Sequence, residues 1–244
     1  MNPVLREHLG VFFRERHGLP AQLYLLGILG LVEFLLLTSP YLGKQMWSGS
    51  GNLLKICAAV AAILTAYFAL RTANREYAAA RFKPLDYWLR ERGYPVGVVA
   101  RGQAAFLMVQ IASSLLLVLP LLLWAGAISR TPPAALVATL ALIPFYAVCY
   151  GVWGLVALAL RENAPDSREP LIRCFTILVV VIAMMIYLPL NPVVYLLAVA
   201  GIDDPARVGL VGAQWSPAVA NLSFHLAYGA AGFIAHRWAL ARVQ

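Results

Sequence analysis

Charged side chains are scarce in this chain. Only 12% of its 244 residues are charged, whereas 61% are hydrophobic. Ordinary soluble domains carry roughly 25% charged residues, and this composition supplies too little polar surface for a fold solvated by water. The sequence therefore predicts an integral membrane protein.

Motifs for chemistry are also missing. The sequence has no GxxxxGK[ST] phosphate loop, no HExxH motif and no helical run of aspartates that would hold Mg²⁺. Its three cysteines, Cys57, Cys149 and Cys174, are odd in number and form no CxxC pair, so they predict neither a disulfide framework nor a metal site. We expect no catalytic, cofactor or metal site in this chain.

Long apolar runs are what the sequence has instead. A helix needs roughly 20 apolar residues to cross about 30 Å of hydrocarbon. The runs do not show the alternation of barrel strands, so we expect an all-α membrane protein, with residues 1–244 forming a single transmembrane domain. The six predicted spans are Leu19–Ser39, Leu53–Leu70, Gly102–Ile128, Pro133–Leu160, Leu171–Leu190 and Leu210–Arg237.

The segment before the first span is amphipathic. Val4, Leu5, Leu9, Phe12 and Phe13 recur at helical spacing against a charged face. Because an apolar span follows at once, we expect residues 1–18 to form a helix in the membrane interface. A cytosolic packing helix is the alternative.

Basic residues are distributed unevenly between the two sides of the membrane. Every Lys and Arg except Lys44, Lys55, Arg130 and Arg207 falls in the N-terminal segment, in the loops after the second and fourth spans, or at the C-terminus. This asymmetry predicts that both termini and the two loops lie in the cytoplasm, and that the chain lies in the inner (cytoplasmic) membrane. A basic belt facing anionic lipid then explains the net charge of +8 without a nucleic-acid partner.

The loop after the second span, residues 75–101, is the most informative segment. Lys83-Pro84 predicts a boundary, a short helix begins at Pro84, and Gly93 ends it. An exposed apolar face with a tryptophan favours docking onto a cytosolic partner, and a plain basic connection is the alternative. The residues of this short helix assigned to partner docking are Pro84, Leu85, Asp86, Trp88, Leu89, Arg90 and Glu91.

These features together resemble a known family. The N-terminal NPVLREHLGVFFRERHG, an E-x(n)-LDYWL-x(n)-P-x(n)-RGQ loop between the second and third spans, and four further spans are similar to the membrane (permease) subunit of type-2 ABC exporters. The usual Gly-Lys of that family is here Arg101-Gly102-Gln103, and its Leu-Leu pair is interrupted between Leu85 and Leu89.

The resemblance implies specific roles and partners. Residues 1–18 would be the elbow helix and residues 75–101 the coupling loop, with Glu76 as its acidic coupling residue. Arg101-Gly102 would be the entrance to the third span. Leu188-Pro189-Leu190-Asn191-Pro192 would open a re-entrant segment between the fifth and sixth spans. Two such subunits, identical or related, would assemble with two cytosolic ATPase subunits that bind ATP and Mg²⁺. Short external loops and apolar spans favour an amphipathic, lipid-linked or hydrophobic substrate.

A few polar side chains inside the spans are candidates for a translocation path. A carboxyl group inside a membrane costs free energy, which makes Glu33 a functional candidate, although pairing with Lys55 is an alternative. Gln103 and Gln110 share a helix face, where bonding between helices is the alternative to substrate contact. Ser223 and His225 are two apart on a helix and so point in different directions, which argues against an intramembrane enzyme. A membrane scaffold or assembly factor remains the main rival function.

Overall fold

The computed structural model describes residues 1–16, 18–49, 52–76, 81–201, 208–210 and 213–243. Over these residues six helices are long and apolar enough to cross a membrane, namely α2, α4, α5, α6, α7 and α9 as defined here. This confirms the prediction of a helical, multi-pass architecture. The helices are α1 (Pro3–Leu9), α2 (Leu19–Thr38), α3 (Gly43–Ser48), α4 (Leu53–Ala73), α5 (Val96–Ile128), α6 (Pro133–Leu160), α7 (Arg168–Ile186), α8 (Pro192–Gly201) and α9 (Pro217–Val243).

Several span boundaries differ from the predicted ones. Helix α5 begins at Val96, directly after Pro95, so Arg101 and Gly102 lie in its second turn rather than at its start. Helix α7 ends at Ile186 because Tyr187 is extended, and Pro189 follows without an N–H for the helical ladder. Residues Val208–Leu210 and Ala213–Trp215 form a two-stranded antiparallel hairpin, β1 and β2, so the last helix starts only at Pro217.

Helices α4 and α6 form the centre of the bundle. A Cβ atom on Gly154 of α6 would lie 2.4 Å from the carbonyl oxygen of Leu70 on α4. Glycine at this position therefore lets the two helix backbones approach closely, which is how helices without a hydrophobic driving force associate in lipid. Leu25 and Leu29 of α2 pack against this centre from the side.

Helices α2 and α7 lie at the outside of the bundle. Leu23 and Phe34 of α2 and Ile177 and Met185 of α7 are all more than half exposed. Such a continuous apolar surface would be unusual in water but is expected where lipid is the solvent. The chain beyond α7 continues through a 3₁₀ turn, Leu188–Leu190, into α8, whose 10 apolar residues are too few to cross a membrane.

Candidate functional site

The N-terminal helix is fixed to the start of α5 by Asn2. Its side-chain oxygen caps α1 by accepting from the backbone N–H of Val4 at 2.9 Å, while its Nδ2 donates to the Val98 carbonyl at 2.7 Å. A Cβ on Gly102 would lie 2.6 Å from that same side-chain oxygen. The NPV and RGQ sequences that carry the family resemblance therefore lie against each other in the fold.

The loop helix is the turn Tyr87–Glu91, preceded by helical Leu85 and Asp86. Gly93 follows it with a φ of +63°, the left-handed conformation expected of the residue that ends a helix. The apolar side of this helix is not exposed, contrary to the expectation from the sequence. Leu85, Trp88 and Leu89 are buried inside the chain, in a cluster with Val4, Val99, Ala100, Ala159, Ala239 and Leu240.

Burial of the apolar side leaves a charged rim facing outward. Lys83, Pro84, Arg90 and Glu91 are exposed, and we call them the loop rim. Asp86 and Arg90 form an exposed ion pair, with Oδ1 and Nε 3.7 Å apart, which contributes little to stability. Any partner that binds the loop helix therefore meets charge first.

Arg75 is the centre of a buried ionic cluster that holds the loop. It has a left-handed backbone, and its side chain is 4% exposed. Its Nη1 lies 3.6 Å from Oε1 of Glu162 and donates to the Lys83 carbonyl at 2.9 Å. The guanidinium group also lies over the ring of Phe82, 5.2 Å from its centroid.

Two glutamates hold the backbone on either side of Pro84. Oε1 of Glu7, from α1, accepts from the Lys83 N–H at 2.7 Å, and Oε1 of Glu162 accepts from the Leu85 N–H at 2.7 Å. Glu162 lies in the turn after α6, and Arg168 at the start of α7 donates to the Glu162 and Arg161 carbonyls. The cluster thus joins α1, the loop and the turn that leads into α7.

Burial sets the electrostatics of this cluster. It lowers the pKa of Arg75 to about 10, against the opposing effect of Glu162 and Glu7, so the guanidinium group stays charged at neutral pH. It also raises the pKa of both glutamates, which the N–H donors and Arg75 partly offset. Burial, reinforced by Arg75, lowers the pKa of His8 to about 3, so that imidazole is neutral.

Glu76 lies at the edge of the cluster. It pairs with the guanidinium group of Arg71 on α4 and accepts from Nδ2 of Asn74 at 3.0 Å. Both partners come from the last turn of α4 and the residue that caps it. Glu76 therefore stabilises the end of α4, and the described contacts do not join it to the loop rim.

A polar pocket opens beside the loop helix. It has a volume of about 230 Å³. Its lining includes Asp86 of the loop helix, Arg161, Glu162 and Asn163 of the turn after α6, and Val243 at the end of α9. Loop helix, turn and C-terminal helix therefore share one surface.

The three polar residues proposed for a translocation path are all buried, at different places. The carboxyl group of Glu33 faces the thiol of Cys57, and one of its oxygens has no hydrogen-bond partner among the described residues. Gln110 donates to Ser114 on its own helix at 3.3 Å. Neither the oxygen nor the nitrogen of the Gln103 side chain has a partner within the described part of the chain. The glutamine that does bond to another span is Gln22 of α2, whose side chain donates to Ser113 of α5 at 3.0 Å.

A buried polar network between α6 and α9 was not predicted. Tyr146 donates to the Asn221 oxygen at 2.7 Å, and Tyr150 lies 3.3 Å from Nε2 of His225. Nδ1 of His225 faces the Asn221 carbonyl at 2.9 Å, so that nitrogen carries the proton and Tyr150 donates to Nε2. The sequence signal for this network was a pair of polar residues four apart on each of two spans, Tyr146 and Tyr150 on one and Asn221 and His225 on the other. Ser223 is exposed on the other side of α9, as its spacing from His225 predicted.

An apolar cavity lies beside this network. Its volume is about 240 Å³, and it is bounded by Ile63 and Tyr67 of α4, Tyr146 and Tyr150 of α6, and Val180 of α7, with Pro192 at the start of α8. Two of its lining residues on α4, Ile63 and Tyr67, are each about half exposed on the surface of the bundle. Phenolic hydroxyls are the main polar groups near it, which suits a largely hydrophobic occupant.

The arrangement defines a class of protein. In the described part of the chain, six helices are long and apolar enough to cross a membrane, which is the architecture of a multi-pass helical membrane protein. No protein-family model, curated protein or solved structure matches the chain.

Proposed function

We propose that the chain is the transmembrane subunit of an ATP-driven ABC exporter, working with a second membrane subunit and with cytosolic ATPases that bind ATP and Mg²⁺. One observation carries the proposal: the loop between α4 and α5 is fixed by a buried ionic cluster to α1 and to the turn before α7, while it presents a charged rim. A plain basic connection between spans has no need of such internal bonding.

The ionic cluster suggests how a force on the loop would reach the spans. Arg75 and Glu162 form a short, buried link between the end of α4 and the end of α6, and Arg168 continues it into α7. Because buried pairs resist separation, the loop helix and these helix ends would move together. An ATPase that pushes on the loop rim would therefore tilt α4 and α7, which border the apolar cavity.

The cavity supports the class of substrate. The cavity of about 240 Å³ is bounded by α4, α6 and α7, and its walls are apolar with tyrosine hydroxyls nearby. We expect a hydrophobic, amphipathic or lipid-linked compound that enters sideways from the membrane.

Co-purification tests the proposal. The intact protein is isolated from its native membrane beside a variant in which Lys83 and Arg90 of the loop rim are changed to Glu. Changing Lys44, an exposed lysine after α2, to Glu provides a control at the opposite end of the bundle. We expect an ATPase with the native chain and the control, and its loss from the loop variant. Absence of an ATPase from all three would favour a scaffold or assembly factor.

A further inference from the structure

An open groove runs along the outer face of α2. It has a volume of about 530 Å³, and its lining includes Arg16 and, on α2, Leu23, Tyr24, Gly27 and Leu31. The members on α2 recur every three or four residues and so share one helix face. The opposite face, with Leu25 and Leu29, is buried in the bundle.

The groove is apolar along its length and basic at one end. Leu23, Tyr24 and Leu31 are each more than half exposed, and a Cβ on Gly27 would meet no atom within 4 Å. Gly27 therefore makes a notch between larger side chains. Arg16 is exposed at the end that lies next to α1, and among the described residues it contributes the one charged group to the lining.

The position of Arg16 is set by the fold. The N–H of Gly18 donates to the Phe12 carbonyl at 3.0 Å, and the N–H of Leu19 donates to the Arg16 carbonyl at 3.2 Å. The ring of Phe12 lies directly over Gly18, where a Cβ would be 2.3 Å from a ring carbon. Arg16 is thereby held beside the first turn of α2, at the depth of the predicted cytoplasmic interface.

The dimensions fit one leaflet of a bilayer. From Leu19 to Leu31 the helix rises about 18 Å, close to half of a hydrocarbon core of roughly 30 Å. We infer that this face of α2 binds a phospholipid with an anionic headgroup, whose phosphate pairs with Arg16 and whose acyl chain lies over Gly27. Charge complementarity selects this occupant, because the cytoplasmic leaflet is the one that holds anionic lipid. The inference uses the predicted orientation but does not depend on transport.

Native mass spectrometry of the full-length protein in a nonionic detergent tests this inference. Phosphatidylglycerol and phosphatidylcholine with identical acyl chains are added in turn, and bound lipids are counted. We expect the native protein to prefer phosphatidylglycerol. Arg16→Gln should reduce phosphatidylglycerol binding about fivefold, the equivalent of about 1 kcal/mol, and abolish the preference.

A second variant separates the acyl groove from the headgroup contact. Gly27→Leu fills the notch without a clash and should reduce the binding of both lipids, whereas Gly97→Leu, also in open space, should reduce neither. Native-like binding by both Arg16→Gln and Gly27→Leu would overturn the proposal, as would a preference for phosphatidylglycerol that survives Arg16→Gln. If Gly27→Leu instead converts a dimer into a monomer, the groove is an interface between copies and the lipid assignment is wrong.

Discussion

Arg75 and Glu162 form a buried ion pair between the loop after α4 and the turn after α6. Their side chains are 4% and 16% exposed, and Nη1 and Oε1 lie 3.6 Å apart. Glu162 also accepts from the Leu85 N–H, so the carboxylate that pairs with Arg75 also binds the first residue of the loop helix. The arrangement fixes the start of the loop helix to the bundle.

Loss of the Glu162 charge should destabilise the protein. Glu162→Gln removes the carboxylate that pairs with the buried Arg75 charge and leaves only Glu7 to offset it. Breaking a buried pair costs about 3 kcal/mol in comparable cases. We expect a lower thermal unfolding midpoint in detergent, as measured by tryptophan fluorescence. The exposed ion pair of Asp86 and Arg90 provides the control, because Asp86→Asn should lower the free energy of unfolding by only about 0.3–0.5 kcal/mol. If Arg75→Gln and Glu162→Gln lower the midpoint additively, the pair is not coupled.

Enlarging Gly102 should detach the N-terminal helix. Gly102→Val places atoms against the side-chain oxygen of Asn2 and so disrupts both the α1 cap and the bond to Val98. We expect faster hydrogen exchange over residues 3–14, while Gly97→Val, which meets no atom within 4 Å, leaves exchange unchanged. Equal protection of residues 3–14 from hydrogen exchange in the two variants would show that Gly102 does not fix α1.

Asn221 should contribute measurably to the stability of α9. Its side chain accepts from Tyr146 and donates to the Pro189 carbonyl at 2.8 Å, so Asn221→Leu leaves the buried Tyr146 hydroxyl and the part-buried Pro189 carbonyl without this partner. We expect a loss of about 1–3 kcal/mol, seen as a lower unfolding midpoint. Tyr146→Phe removes one donor and should cost less, near the average of about 0.6 kcal/mol for bonds between spans. A larger effect of Tyr146→Phe would contradict this ranking.

His8 should make stability depend on pH. Its pKa falls from 6.5 in the unfolded chain to about 3 in the fold, so its contribution is complete above pH 6.5 and is lost as pH falls toward 3. Glu7 and Glu162, with raised pKa values, act in the opposite direction. His8→Phe keeps the ring contacts with Phe82 and Phe106. We expect this variant to lose less stability than the native chain between pH 6.5 and 5, and identical pH profiles would refute the assignment.

Hydropathy and local signals predicted part of this structure. Six apolar runs indicated the spans, and Pro84 and Gly93 bracketed the loop helix, because these signals depend only on neighbouring residues. The amphipathic pattern of Leu85, Trp88 and Leu89 indicated that one face of the loop helix is covered. The pattern could not show whether a separate cytosolic protein or helices of the same chain, such as α1 and α9, cover it. Arg75 was assigned to a basic loop, since nothing local pairs it with Glu162. Long-range partners of this kind are set by packing.

Photo-crosslinking from position 90 in native membranes tests the central claim most directly. A photoreactive residue replaces Arg90 on the loop rim, and a second chain carries it at Lys44 as the control. Our account predicts a crosslink from position 90 to a protein that hydrolyses ATP, with no such product from position 44. Crosslinks from position 90 to lipid alone, or to a protein without ATPase activity, would contradict it.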